Sequence, residues 1–129
     1  AAIAEMFKLV RPGGALMLQV LNYDRFPPGE NVYGEPIVRE SLGQDYIFLK
    51  VFRRAGTTCD LDIIVMQRGA NEIWNRTVFS ERLLVLDEGS LVSMVEAAGF
   101  GRIHLYGGYD MAPFNRKTSQ DLVLVARRE

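Results

Sequence analysis

The chain has 129 residues, 48% of them hydrophobic, and a formal charge of -1 at pH 7. That length is enough to bury a core, and a charge so near zero supplies no general field for attracting nucleic acid or anionic lipid. Neither is therefore expected as a partner, and the single Cys59 has no second thiol to bridge, which fits a cytoplasmic setting.

In chain order, Ala1-Ala2-Ile3-Ala4-Glu5-Met6 already reads as helix, so the sequence is expected to begin inside an element. These residues are amphipathic and do not set a basic region before an apolar one, so no secretory signal is read there. Ile3, Met6, Phe7 and Val10 recur at the spacing of one buried helical face. Pro12 disfavours helix at Arg11, and Gly13-Gly14 supply a turn. Ala15 to Leu21 is the longest apolar stretch, interrupted only by Gln19. It is far too short to span a membrane. Apolar on both faces, it predicts a strand covered on both sides, parallel to neighbours outside this chain.

From Asn22 to Gly43 the chain turns irregular, with Pro27-Pro28-Gly29, Gly34 and Pro36, and is expected to be a long functional loop. Three strand-like runs follow, Tyr46 to Arg53, Leu61 to Arg68 and Ile73 to Leu86, separated by Ala55-Gly56 and Gly69-Ala70-Asn71. Breaks this short predict an antiparallel meander with one face partly wet. Asp87 is placed to cap a second helix, with Leu91, Val95 and Ala98 as its buried stripe and Gly99 as its left-handed end. Strands at Arg102 to Tyr106 and Leu122 to Ala126 close the chain.

Three of these pieces, in this order, resemble the C-terminal half of the class I S-adenosylmethionine-dependent methyltransferases. Arg11-Pro12-Gly13-Gly14 resembles that fold's turn into its fifth strand. Val95-Glu96-Ala97-Ala98-Gly99-Phe100 resembles the helix end before its sixth. The run Leu122 to Arg128 resembles its antiparallel seventh strand, inserted between the other two. The resemblance implies an α/β chain: strands 5, 7 and 6 of a Rossmann-like sheet, one domain over 1–129, with an antiparallel β insertion at 44–86. Asn22-Tyr23-Asp24 after the fifth strand, followed by the insertion, is similar to the glycine and sarcosine N-methyltransferase group.

The resemblance further implies a small-molecule methyl acceptor, with Asn22, Tyr23, Arg25 and Tyr109 as acceptor-binding residues. They lie beyond strand ends, where open α/β sheets bind ligands. The glycine-rich loop and acidic residue that hold S-adenosylmethionine in that family have no counterpart here. Gly99-Phe100-Gly101 follows a helix instead of opening one. The cofactor is expected in the intact parent protein, with no tight binding and no activity in this chain alone. A non-catalytic assembly module derived from such an enzyme is the alternative. In either case the cut sheet leaves an apolar edge, so a homodimer or pairing through that edge is expected.

Other residues read more plainly. His104 has no Cys or carboxylate at ligand spacing, and Cys59 has no paired base, so neither is read as catalytic. Asp60 and Asp62 read as solvated edge charges and not as a metal pair. Arg25, Arg76 and Arg82 are candidates for an acceptor carboxylate, while Trp74 and Phe79 read as packing residues. No catalytic residue and no metal site is assigned.

Overall fold

The computed structural model describes residues 2–129. Ala1, read above as part of the opening helix, lies outside the described residues. The chain forms two compact units: the first runs up to Arg25 and resumes at Leu86–Glu129, and the second is Phe26–Val85. Nearly all of the stretch expected as an insertion at 44–86 falls within the second of these units.

In the first unit, α1 (Ala2–Leu9) leads through Gly13, at φ 80°, into β1 (Ala15–Leu21). Then α2 (Glu88–Ala98), β7 (Gly101–Tyr106) and β8 (Asp121–Arg127) complete a three-stranded sheet in the order β1-β8-β7. This is the expected 5-7-6 arrangement. β1 pairs with β8 along its whole length, from Ala15–Arg127 to Leu21–Asp121. Because β8 runs antiparallel to both neighbours, β1 and β7 run the same way and end at the same end of the sheet.

β8 is the buried centre. Leu122, Leu124 and Ala126 pack with Leu16, Leu91, Val95 and Phe100 in one core, while Val123 is fully buried on the opposite face. β1 is instead an edge strand among the described residues, and Met17 on it is 49% exposed. The α2 signals hold. The Asp87 carboxylate accepts from Ser90 N, and Gly99 ends the helix at φ 109° with its N–H donated to Glu96 O. A side chain at Gly99 would press on the Phe7 ring at 3.0 Å.

α1 has no fully buried residue, and eight residues make a marginal helix by themselves. Its anchors come from far along the chain. Phe7 meets Phe100 edge-on at 5.0 Å. Arg128 Nη1 donates to Phe7 O at 2.8 Å and Val10 O at 2.7 Å, with its guanidinium 4.3 Å from the Phe7 ring. A cation on the last carbonyls of a helix satisfies acceptors that have no intrahelical donor.

The second unit is a five-stranded antiparallel sheet. The expected meander is present as β4 (Gln44–Ala55), β5 (Thr58–Arg68) and β6 (Trp74–Leu84). Two strands widen it, β2 (Asn31–Tyr33) and β3 (Ile37–Ser41), both paired with β4. They arise inside the stretch read from sequence as loop. Being short and lying on the outer edge of β4, they leave Pro36 at a position where no ladder hydrogen bond is needed. β5 is consequently central, and Asp60 and Asp62 are not the edge charges expected. Asp60 takes Arg82 Nε at 2.9 Å and Asp62 accepts from Ser80 Oγ at 2.6 Å, both across β6. No helix among the described residues is long and apolar enough to cross a membrane.

Candidate functional site

The ends of β1 and β7 set the site in the first unit. After Leu21 the chain tightens into a 3-10 turn, Tyr23–Arg25, opened by Asn22. Asn22 is 3% exposed and its side chain is engaged on both ends. Its Oδ1 accepts from Asp24 N at 3.3 Å, while Nδ2 donates to Arg116 O at 2.9 Å and Ser119 O at 2.8 Å. Its backbone N–H donates to Gln120 O at 3.1 Å. A primary amide has two N–H groups, and both are spent within the chain. Asn22 is the strap that ties the end of β1 to the segment between β7 and β8.

That segment is built from side-chain-to-backbone turns. Asn115 Oδ1 accepts from Lys117 N and Thr118 N, and Ser119 Oγ accepts from Asn115 N at 2.8 Å. Gly107 is required where the segment leaves β7, since a Cβ there would stand 2.5 Å from Ser119 Oγ. Arg116 then joins three pieces. It lies 3.5 Å from Asp24 on the β1 turn and 3.0 Å from Glu88 in the first turn of α2. The Glu88 hydrogen bond, reinforced by that carboxylate's charge, raises the Arg116 guanidinium above its ordinary value.

Of the four acceptor residues named from sequence, Asn22, Tyr23 and Arg25 fall together on the β1 turn, with Tyr23 only 7% exposed. Tyr109 stands in the loop after β7 and is 67% exposed. The structure thus places all four beyond the same end of one sheet, but with different availability: Asn22 is a strut and Tyr109 is open. Sequence reading missed Arg116, Glu88 and Ser119, which shape this rim, and named Asp24 only as part of the Asn22-Tyr23-Asp24 motif. The polar run Asn115 to Ser119, rich in side chains that hydrogen-bond nearby backbone, was the available signal.

The remaining candidates sit elsewhere. Arg82 is paired with Asp60, and Arg76 lies on β6 of the second unit. Trp74 packs under Arg68 at 4.8 Å, whereas Phe79 is 56% exposed. His104 is exposed on β7 and its ring lies 6.5 Å from that of Tyr106. Cys59 is fully buried, and burial pushes its thiol up, with Asp60 adding to the effect. A neutral buried thiol packs and does not attack. No group of three or more metal-binding side chains occurs among the described residues. The second unit also carries an open basin of about 590 Å³ lined by Asn31, Arg53, Asp60, Asp62 and Arg82 among others.

No protein-family model and no curated protein matches the sequence. Solved structures do. An amino pentose methyltransferase from Micromonospora echinaspora involved in calicheamicin biosynthesis, with SAM bound, aligns at TM-score 0.77 and 19% identity, over 99% of this chain and 49% of its own. The CcbJ methyltransferase from Streptomyces caelestis aligns at 0.69 and 21% identity, over 98% of this chain and 51% of its own. A sugar N-methyltransferase from Streptoalloteichus aligns at 0.69 and 18% identity, over 99% and 48%. The chain therefore spans about half the length of the solved structures it matches. Its fold is that of the C-terminal half of class I S-adenosylmethionine-dependent methyltransferases.

Proposed function

We propose that the intact protein is an S-adenosylmethionine-dependent methyltransferase acting on a small molecule, and that this chain is its acceptor-side half. The observation that carries the reading is the rim beyond β1 and β7. Two strands running the same way end together, the crevice position of open α/β sheets, and Asn22 with Arg116 fixes the loops around it. The similar solved enzymes include an amino pentose methyltransferase and a sugar N-methyltransferase, which supports an amine on a sugar-sized acceptor. A neutral amine attacks the sulfonium methyl in line, so proximity, alignment and exclusion of water suffice. Tyr109 and Arg25 are the groups offered for acceptor contact, with Tyr23 closing the turn behind them.

The glycine-rich loop for the methyl donor has no counterpart in these 129 residues, so the chain alone is proposed to be inactive. Calorimetric titration with S-adenosylhomocysteine tests this. The 129-residue chain is expected to give no heat of binding at micromolar concentration, and the intact protein a clear one. Tight binding by the chain alone refutes the missing-pocket reading; no binding by the intact protein removes the enzymatic one. The second reading, a non-catalytic assembly module, is favoured by the open edge of β1. It predicts no turnover from the intact protein with any amine acceptor.

A further inference from the structure

The two groups offered for acceptor contact stand on different segments. Arg25 is on the 3-10 turn that ends β1, and Tyr109 is on the loop that follows β7. Their spacing is set by what joins those segments. Asn22 joins them from the inside, buried, with its amide on the carbonyls of Arg116 and Ser119. Arg116 joins them from the outside. Asn115 Oδ1 accepts from Lys117 N and Thr118 N, which sets Arg116 at the tip of a tight turn with its side chain 65% exposed. Its Nη2 donates to Glu88 Oε2 at 3.0 Å, and its Nε lies 3.5 Å from Asp24 Oδ2.

The two carboxylates differ in how firmly they are held. Glu88 is the first residue of α2, where the helix dipole favours a negative charge, and Leu91 and Val95 of that helix are fully buried. The helix is the fixed point. Asp24 is the middle residue of a three-residue turn whose backbone bonds are long. Asp24 N reaches Asn22 Oδ1 at 3.3 Å and Arg25 N reaches Asn22 O at 3.4 Å, against a usual N–H···O distance of about 2.9–3.0 Å. The turn is the part that yields. We propose that Arg116 is a positioning residue for the acceptor: anchored on Glu88, it holds Asp24 and so fixes the Tyr23–Arg25 turn against the segment that carries Tyr109. This rests on the methyltransferase reading and adds to it a residue that acts through Asp24. Magnitudes separate the role from a structural one. Ion pairs of so exposed an arginine add little to stability, so the fold does not depend on them. Methyl transfer depends on alignment, where a misplacement of about 1 Å costs up to about a hundredfold in rate. A contact that matters little to the fold thus matters to the reaction.

Two measurements test it, one on this chain and one on the intact protein. In the 129-residue chain, Arg116→Gln is expected to lower the NMR order parameters of the Asp24 and Arg25 amides from about 0.85 to below about 0.6. Tm and the amides of Leu122–Ala126 are expected to stay unchanged. Unchanged order parameters at the turn, or an equal fall in β8, overturn the proposal. In the intact protein, methyl glycosides of amino pentoses and amino hexoses serve as acceptor probes. Arg116→Gln is expected to raise the acceptor KM about tenfold and to leave the KM for S-adenosylmethionine within about twofold. Asp24→Asn is expected to do the same, and the double variant no more than either change alone, because both break one contact. Equal effects on the two KM values, or effects that add in the double variant, overturn the proposal. Absence of both turnover and S-adenosylhomocysteine binding in the unaltered intact protein overturns the methyltransferase reading, and the acceptor role with it. The order parameters then still decide whether Arg116 holds the turn.

Discussion

Asn22, expected from sequence to bind an acceptor, is occupied by its own chain. Truncation to Ala leaves the carbonyls of Arg116 and Ser119 without their donor. These bonds are part-buried, and a typical intramolecular hydrogen bond contributes about 0.5–1.5 kcal/mol, so Asn22→Ala is expected to lose about 2 kcal/mol in urea denaturation. Tyr109→Ala, at an exposed site, is expected to stay within about 0.5 kcal/mol. Under the methyltransferase reading, the same Tyr109→Ala change in the intact protein should lower kcat/KM at unchanged Tm; unchanged kinetics would withdraw it from the proposed acceptor site. Cys59 gives a pH signature. Burial pushes its thiol up in the folded chain, whereas the unfolded thiol ionises at about 8.5. Above that value the unfolded state binds fewer protons than the folded one, so stability falls as pH rises. Cys59→Ala is expected to flatten the stability curve above about pH 8.5; an equal slope in both proteins would assign the effect to another group.

Elements whose signals are local were legible. The Gly13-Gly14 turn into β1, the Asp87 and Gly99 caps of α2 and the apolar run of β8 each declare themselves within a few residues, and all appear where expected. What stayed hidden is held by distant partners or by unfavourable local chemistry. Arg128 caps α1 from 118 and 121 residues away, and the rim around Asn22 joins segments 94 and 97 apart. The β3–β4 hairpin illustrates the second cause. Its two-residue loop is Leu42-Gly43, with φ 53° and 76°, the positive pair of a tight hairpin turn that ordinarily reads Asn-Gly. A leucine there conceals the turn and is strained by its Cβ, at about 1–2 kcal/mol for a left-handed L-residue. Leu42 is fully exposed, so its side chain supplies no compensating burial. Leu42→Asn is therefore expected to stabilise the protein by about 1 kcal/mol, read as a raised denaturation midpoint at constant m-value. A fall in stability would show that Leu42 is buried by a partner in solution.

At the scale of the molecule, β1 has a ladder on one side only among the described residues. In an antiparallel pair alternate N–H groups point to the neighbour and the rest point away. Within the seven residues of β1, every second amide is therefore donated to β8, and the others face the open edge. Hydrogen exchange resolved by residue should show this alternation in the chain alone: slow, fast, slow along Ala15–Leu21, while Val123, Leu124 and Val125 of β8, flanked on both sides, are all protected. Under the methyltransferase reading the rest of the intact protein supplies the missing parallel strand, and the fast amides of β1 become slow. If all of β1 is already protected in the chain alone, the edge is recruiting a second copy, and assembly then runs through this sheet. If the alternation persists in the intact protein, no strand has been added, and the half-fold is a finished edge rather than an interrupted one.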